Sequence, residues 1–266
     1  MVYSIEISDH YITNIGNNAA IDFYSTISLQ KLQLDNINAT ITGCSSPFLN
    51  VVIDTIGTRK KLDETTLQII TQFFEKDNIP WVWIIPSYVP NAYFVEHGFV
   101  TYGDFPCMYY DLYNEVLPIE NTQIIIQEIN QGNDLSEWII PVNEGFTDSE
   151  TEQNSQEDLY QKINANLLNN GITKLRQFVA YYDNQLAGSS TLFLSHDSVT
   201  LHNIAVRPHL QKRGIGKSLT LHMMHIAKEL GFKHCFLDSS DDGYKLYKQL
   251  GFDVYAIKTA YKNINN

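Results

Sequence analysis

Gly214-Ile215-Gly216 stands directly behind Lys212-Arg213 and directly ahead of Lys217-Ser218. Residues of those types in that order suit one kind of chemistry, the holding of a phosphate ester. Ahead of them lies a β-run, Val199–Val206 (VTLHNIAV), and Arg207-Pro208 ends it because proline has no N–H to give a sheet ladder. Behind them Ile215, Leu219, Met223, Ile226 and Leu230 recur at close to the helical period and predict a helix. A strand, a tight loop and a helix N-terminus together aim several unpaired backbone N–H groups, and the positive end of a helix dipole, at one point. Glycine keeps the backbone there open to an anion. Lys212, Arg213 and Lys217 add positive charge to a chain that is otherwise acidic. The residues read as a pyrophosphate cradle.

The longer stretch V-R-P-H-L-Q-K-R-G-I-G-K-S-L (206–219) resembles the acetyl-CoA loop of the GCN5-related N-acetyltransferases. That family's signature is Gln/Arg-x-x-Gly-x-Gly/Ala after a V-x-P strand end, and Gln211, Gly214 and Gly216 fall in register with it. L-D-S-S-D-D-G-Y-K-L-Y-K-Q-L-G-F (237–252) is similar to the family's second conserved region, a strand and then a helix ending in Tyr-x-x-x-Gly-Phe. The resemblance covers roughly residues 120–262. It implies a mixed-sheet α/β acyltransferase fold, acetyl-CoA as cosubstrate and a primary amine as acceptor, attacked directly in a ternary complex. Cofactor contacts are implied along Ile204, Ala205 and Val206, through the loop Gln211, Lys212, Arg213, Gly214, Ile215, Gly216, Lys217 and Ser218, and at Ser240, Gly243 and Tyr247. Ser240 stands where the family often has asparagine.

Acetyl transfer to an amine needs a neutral amine and a stabilised thiolate. Deprotonating a lysine-like amine near pH 7 costs about 4.6 kcal/mol, part of which a general base recovers. In the resemblance His202 occupies the place of the base, and Tyr247, the tyrosine of the second region, that of the general acid. By strand alternation His202 shares a face with Thr200, Ile204 and Val206, and Asn203 faces the other way. The bland reading of His202 is a partly buried imidazole satisfied by a neighbour, and that of Tyr247 a packed aromatic. Cys235, between His234 and Phe236 in a β-run, reads as core.

The elements that must position these residues follow from pattern. Gln123–Asn130 reads as a first strand, a helix carries Leu135, Trp138, Ile139 and Val142, and a second helix spans Leu159–Leu168. Leu175–Tyr182 and Ala187–Leu194 form a hairpin at Asp183-Asn184. A last helix over 241–250 ends at Gly251, a residue suited to the left-handed C′ position. Upstream, residues 10–38 read as mostly helical, Phe48–Ile56 as a strand and Asp63 as the cap of a helix over Leu67, Ile70 and Phe74. Trp81–Ile85 is a buried strand, Asn91–His97 a short helix and Phe105–Leu112 a further strand.

This upstream order matches that of the second half. Y-F-V-E-H-G-F-V (93–100) lies over L-Y-K-Q-L-G-F-D (246–253), which suggests two tandem copies of one fold, divided in the polar stretch Tyr113–Asn121. The expected domains are 1–116, a degenerate copy, and 117–266, the catalytic one. The first half has no Gln-x-x-Gly-x-Gly after Thr55, and Phe94 replaces Tyr247.

Of 266 residues, 44% are hydrophobic and 18% charged, the composition of an ordinary globular protein. A formal charge of −12 argues against a nucleic-acid binder and favours a cationic acceptor. Cys44, Cys107 and Cys235 are scattered, which suggests neither a disulfide framework nor a metal site. The first residues lack a signal-peptide pattern and no window approaches a membrane span, so a cytoplasmic protein is expected, as a monomer or homodimer. Two other readings stay open: an acetyltransferase of protein lysines or N-termini, and an acetyl-CoA-binding regulatory protein without turnover.

Overall fold

The computed structural model describes residues 3–7, 9–55, 64–87, 92–113, 117–118, 123–129, 135–146, 157–163 and 174–263. The chain forms two compact units: Met1–Cys107 with Ser239–Asp241 and Val254–Asn266, and Met108–Asp238 with Asp242–Asp253.

In the first unit α1 (His10–Ile27) starts at Asp9, whose carboxylate accepts from the Tyr11 N–H at 2.8 Å. The helix expected over 10–38 stops at Ile27. Gln30–Leu34 (β1) and Ile37–Ile41 (β2) instead pair as an antiparallel hairpin. Asp35 turns the chain at φ +43°, and Leu32 and Leu34, two residues apart, follow the strand period. The next strand, β3 (Val51–Asp54), is shorter than the expected run because Pro47–Leu49 winds into a 3-10 turn. Then come α2 (Glu64–Glu75), β4 (Val82–Pro86) and α3 (Ala92–Glu96). The expected cap Asp63 and the loop after Thr55 lie outside the described residues. With β11 (Asp253–Asn263) the strand order is β1-β2-β3-β4-β11, antiparallel except between β3 and β4. Its core is aromatic: Phe74 stacks on Trp81 at 4.5 Å between centroids, and Phe94 stacks on Tyr261 at 4.8 Å. β5 (Phe99–Asp111) starts in this unit and ends in the other.

The second unit contains β6 (Ile124–Ile129), α4 (Ser136–Phe146), helical residues 157–163 (α5), β7 (Leu175–Tyr182), β8 (Gln185–Leu194) and β9 (Ser198–Val206). α6 (Ile215–Glu229), β10 (His234–Asp238) and α7 (Asp241–Leu250) follow. The remainder of the helix expected over Leu159–Leu168 lies outside the described residues. Strands run β10-β9-β8-β7-β6, parallel only between β10 and β9. Asp183 and Asn184, at φ +52° and +60°, make the tight turn from β7 to β8.

Adjacent residues of β8 and β9 show which helix covers which face. A Cβ on Gly188 would point at Leu219 and Ile215 of α6, and Gly188 pairs with Val206. Ser189 pairs with Ala205, whose Cβ lies 3.6 Å from where one on Gly145 of α4 would stand. α6 thus covers one face and α4 the other. Among the described residues no helix is long and apolar enough to cross a membrane.

Alternation along β9 is broken, and this corrects one expectation. Thr191 pairs with His202 and Ser189 with Ala205, so two residues of β9, Asn203 and Ile204, stand against Ser190 alone. Asn203 takes φ +52° in this β-bulge. The extra residue reverses the faces beyond it. His202 shares its face with Thr200 and Ala205, under α4, and not with Val206, which faces α6. Nor does Asn203 face away: its Oδ1 accepts from Tyr160 Oη at 3.3 Å, and Tyr160 packs edge-on against Trp138 of α4.

Candidate active site

The cradle predicted from residue types is built as a strand end, a turn and a helix start. Pro208–Leu210 forms a 3-10 turn, Lys212 takes φ +61°, and Gly214 caps α6 at φ +84°, a conformation that favours glycine. The first intrahelical bond runs from Ser218 N–H to Gly214 O at 3.0 Å. The N–H groups of Ile215, Gly216 and Lys217 therefore precede the ladder. A Cβ on Gly214 would meet nothing within 4 Å, so the backbone opens onto clear space there. Gln211, Lys212, Arg213 and Lys217 are exposed around it, with the Arg213 guanidinium 5.5 Å from the Tyr182 ring centroid. Ile215 and Ser218 are buried and anchor the helix. This arrangement fits a diphosphate: main-chain donors at the centre and exposed cations at the rim.

Gly216 is where three elements meet. A Cβ there would stand 3.5 Å from Leu246 of α7 and 3.6 Å from Val206 at the end of β9. This brings the glycine loop, β9 and the helix carrying Tyr247 to one locus. Tyr247 is buried with its ring edge-on to Phe252, 5.9 Å between centroids, and Gly251 closes α7 at φ +95°. Burial pushes the Tyr247 phenol well above its ordinary value. Gly243 is half-buried on the same helix, and Ser240, just before it, is exposed.

Between β9 and β10 the sheet parts. Pairing runs from His234/Ser198 to Phe236/Thr200 and stops, although β10 continues to Asp238 and β9 to Val206. Ile204, Ala205 and Val206 thus lie along an edge without a β10 partner, in the stretch that starts at the bulge. A bulge leaves backbone groups outside the ladder, and such groups can hydrogen-bond an extended ligand.

His202 sits at the start of this opening. Its Nε2 lies 2.7 Å from Thr200 Oγ1. Burial pushes its imidazole down to about 4, with the charge of Asp238 opposing the shift. The ring is therefore neutral at pH 7. The Cys235 thiol, fully buried in β10, is pushed up by the same cause and stays protonated, in keeping with a core role. None of the three cysteines forms a disulfide.

Several residues at the site escaped the sequence reading. Arg207 grips Glu144 of α4 through Nε and a terminal nitrogen at 2.8–3.2 Å, which fixes the end of β9 against that helix. Trp138 Nε1 donates to Ser190 O, opposite the bulge, at 3.0 Å. Asn203 carried the one local signal that could have pointed to the bulge: asparagine tolerates left-handed geometry and is disfavoured within strands.

A profile of the Acetyltransferase (GNAT) family matches residues 137–252. Over 84 residues the chain is 36% identical to an uncharacterized N-acetyltransferase, YvbK, of Bacillus subtilis strain 168. That stretch is 30% of this chain and 54% of the other, so the chain spans about half the length of this curated relative. In three dimensions it is similar to a GCN5-related N-acetyltransferase from Kribbella flavida, with a TM-score of 0.70 and 12% identity over 96% of both chains. It is also similar to a tandem GNAT protein from the clavulanic acid biosynthesis pathway (TM-score 0.58, 12% identity, 85% of this chain and 77% of that one). The chain has the mixed α/β GNAT acetyltransferase fold.

Proposed function

We propose that this chain transfers the acetyl group of acetyl-CoA to a primary amine of a small molecule, by direct attack within a ternary complex. The observation that carries the reading is the parting of β9 from β10 beside the open N-terminus of α6. An anion-binding helix start next to an unpaired strand edge suits a ligand with a diphosphate at one end and an extended, amide-bearing arm at the other. The loop Gln211–Ser218 holds the diphosphate, and the backbone of Ile204, Ala205 and Val206 receives the arm. Backbone N–H groups freed by the bulge at Asn203 face the acyl oxygen as negative charge develops on it. Gly243 and Ser240 complete the cofactor contacts.

His202 takes a proton from the nitrogen. Its neutral imidazole is ready to accept, although a group titrating at about 4 is a weak base. Tyr247 serves the departing sulfur as a hydrogen-bond donor. Its raised phenol makes complete proton transfer to a thiolate near 8.5 uphill by more than ~2 kcal/mol.

We assign catalysis to residues 117–266 and read 1–116 as a worn copy. Two features support this: α3 is followed by Gly98 at φ +80° as α7 is followed by Gly251 at φ +95°, and Phe94 stands in the place of Tyr247. The similar tandem GNAT protein shows that such a pairing occurs on this fold.

Release of free CoA thiol from acetyl-CoA, followed across a panel of small amines, tests the reading. Amine-dependent release supports it. Tight acetyl-CoA binding without release for any amine points to a sensor, and release only with peptides to a protein acetyltransferase.

A further inference from the structure

The register of β10 against β9 carries a consequence for the acceptor. Phe236 pairs with Thr200, and the same count continued past the last pair sets Asp238 level with His202, across the gap where the strands part. By strand alternation Asp238 then lies on the face shared by Thr200 and His202. Its carboxylate is close enough to act on the imidazole electrostatically. It is exposed and makes no ion pair among the described residues. From the other flank Thr191 pairs directly with His202; it is 0% exposed and its Oγ1 has no hydrogen-bond partner. A carboxylate without a countercharge and a buried hydroxyl without a partner therefore sit on either side of the half-buried imidazole. Both are suited to N–H donors.

We propose that Asp238 docks a second cationic group of the acceptor, so that the substrate class is a diamine whose reacting nitrogen lies at His202. The inference rests on the transferase reading above. The two tasks must be separated in space, because a carboxylate beside the reacting nitrogen would hold it as the inert ammonium. Here the carboxylate is at the exposed rim and the imidazole is half-buried behind it, which meets that requirement. Paired strands lie about 4.8 Å apart and these have parted further, a span matched by roughly three or four methylenes between nitrogens.

The test is calorimetric titration of the full chain, with CoA present and absent, using 1,4-diaminobutane and n-butylamine as probes. The parent binds the diamine at least tenfold more tightly than the monoamine. Asp238→Asn removes that preference with the thermal midpoint unchanged, and Asp238→Lys abolishes diamine binding. Equal diamine affinity in parent and Asp238→Asn, or no diamine preference in the parent, overturns the proposal. Titration of the same preparations with acetyl-CoA separates the two claims. Acetyl-CoA binding without a diamine preference sinks the docking role alone. An Asp238-dependent preference in a chain that binds no acetyl-CoA sinks the transferase reading and leaves the cation seat standing.

Discussion

Gly214 offers a way to separate what the fold needs from what the ligand needs. It lies at φ +84° with no atom within 4 Å of a Cβ built on it. Alanine there meets no clash, so its structural penalty is conformational, about 1–2 kcal/mol for a residue with a Cβ in left-handed geometry. At about 2–4 °C per kcal/mol for a chain of this size, the thermal midpoint falls by roughly 2–8 °C. Asparagine tolerates that geometry and restores most of the loss. On the proposed function neither variant restores acetyl-CoA affinity, because that open space is the place assigned to the diphosphate at the first N–H groups of α6. Loss of one charge-assisted hydrogen bond, worth about 1.5–3 kcal/mol, weakens acetyl-CoA binding roughly ten- to hundredfold. Gly216→Ala is the control: its Cβ makes ordinary contacts at 3.5 and 3.6 Å, so stability is unchanged. Thermal melts and calorimetric titration with acetyl-CoA read both effects. Parent-like acetyl-CoA affinity in Gly214→Asn refutes the cradle, and equal destabilisation by Gly216→Ala refutes the conformational argument.

Tyr247→Phe keeps the buried ring against Phe252 and removes only the donor, so acetyl-CoA affinity and the thermal midpoint hold while kcat falls at least tenfold, about 1.4 kcal/mol; unchanged turnover with the best amine would return Tyr247 to the core. His202 titrates at about 4 in the fold against an ordinary 6.5, so its contribution is fully present above pH 6.5 and is lost as pH falls from 6.5 to 4, about 3 kcal/mol in all. In urea titrations His202→Gln shows a correspondingly shallower loss of stability across that window, and a parallel loss in parent and variant counts against burial of the imidazole.

Much of the second unit was legible because its elements follow simple periods. Two left-handed residues at Asp183-Asn184 announced the hairpin, and Gly251 ended α7 where the pattern placed it. The first unit was harder. Ile27, Leu29, Leu32 and Leu34 are dense enough to pass for a helix, and only the Asp35 turn tells the hairpin apart, a local choice decided by pairing with β3. At the site, residue types were visible and their sides were not. Alternation carries a face along a strand only while one residue opposes one residue, and the bulge at Asn203 is decided by the partner strand. The Arg207–Glu144 and Trp138–Ser190 contacts join residues 63 and 52 positions apart in the chain, beyond the reach of any local pattern.

For the reaction proposed above, the two shifted ionisations restrict the order of events more than either residue does alone. An amine near 10.4 cannot hand its proton to an imidazole at about 4 before it attacks, since that transfer is uphill by about 9 kcal/mol. The nitrogen must therefore arrive neutral, having lost its first proton to solvent. Once the carbon–nitrogen bond forms, the nitrogen becomes far more acidic, and a weak base such as His202 suffices for the second proton. In the role proposed for Tyr247, its elevated phenol keeps the proton and serves the sulfur as a hydrogen-bond donor only. Burial thus pushes His202 and Tyr247 in opposite directions, each toward its neutral form, so the resting site carries no charge on either group. The pH dependence near neutrality then follows the free-amine fraction, rising tenfold per unit below the amine's own pKa, with no inflection near 6.5 from the histidine.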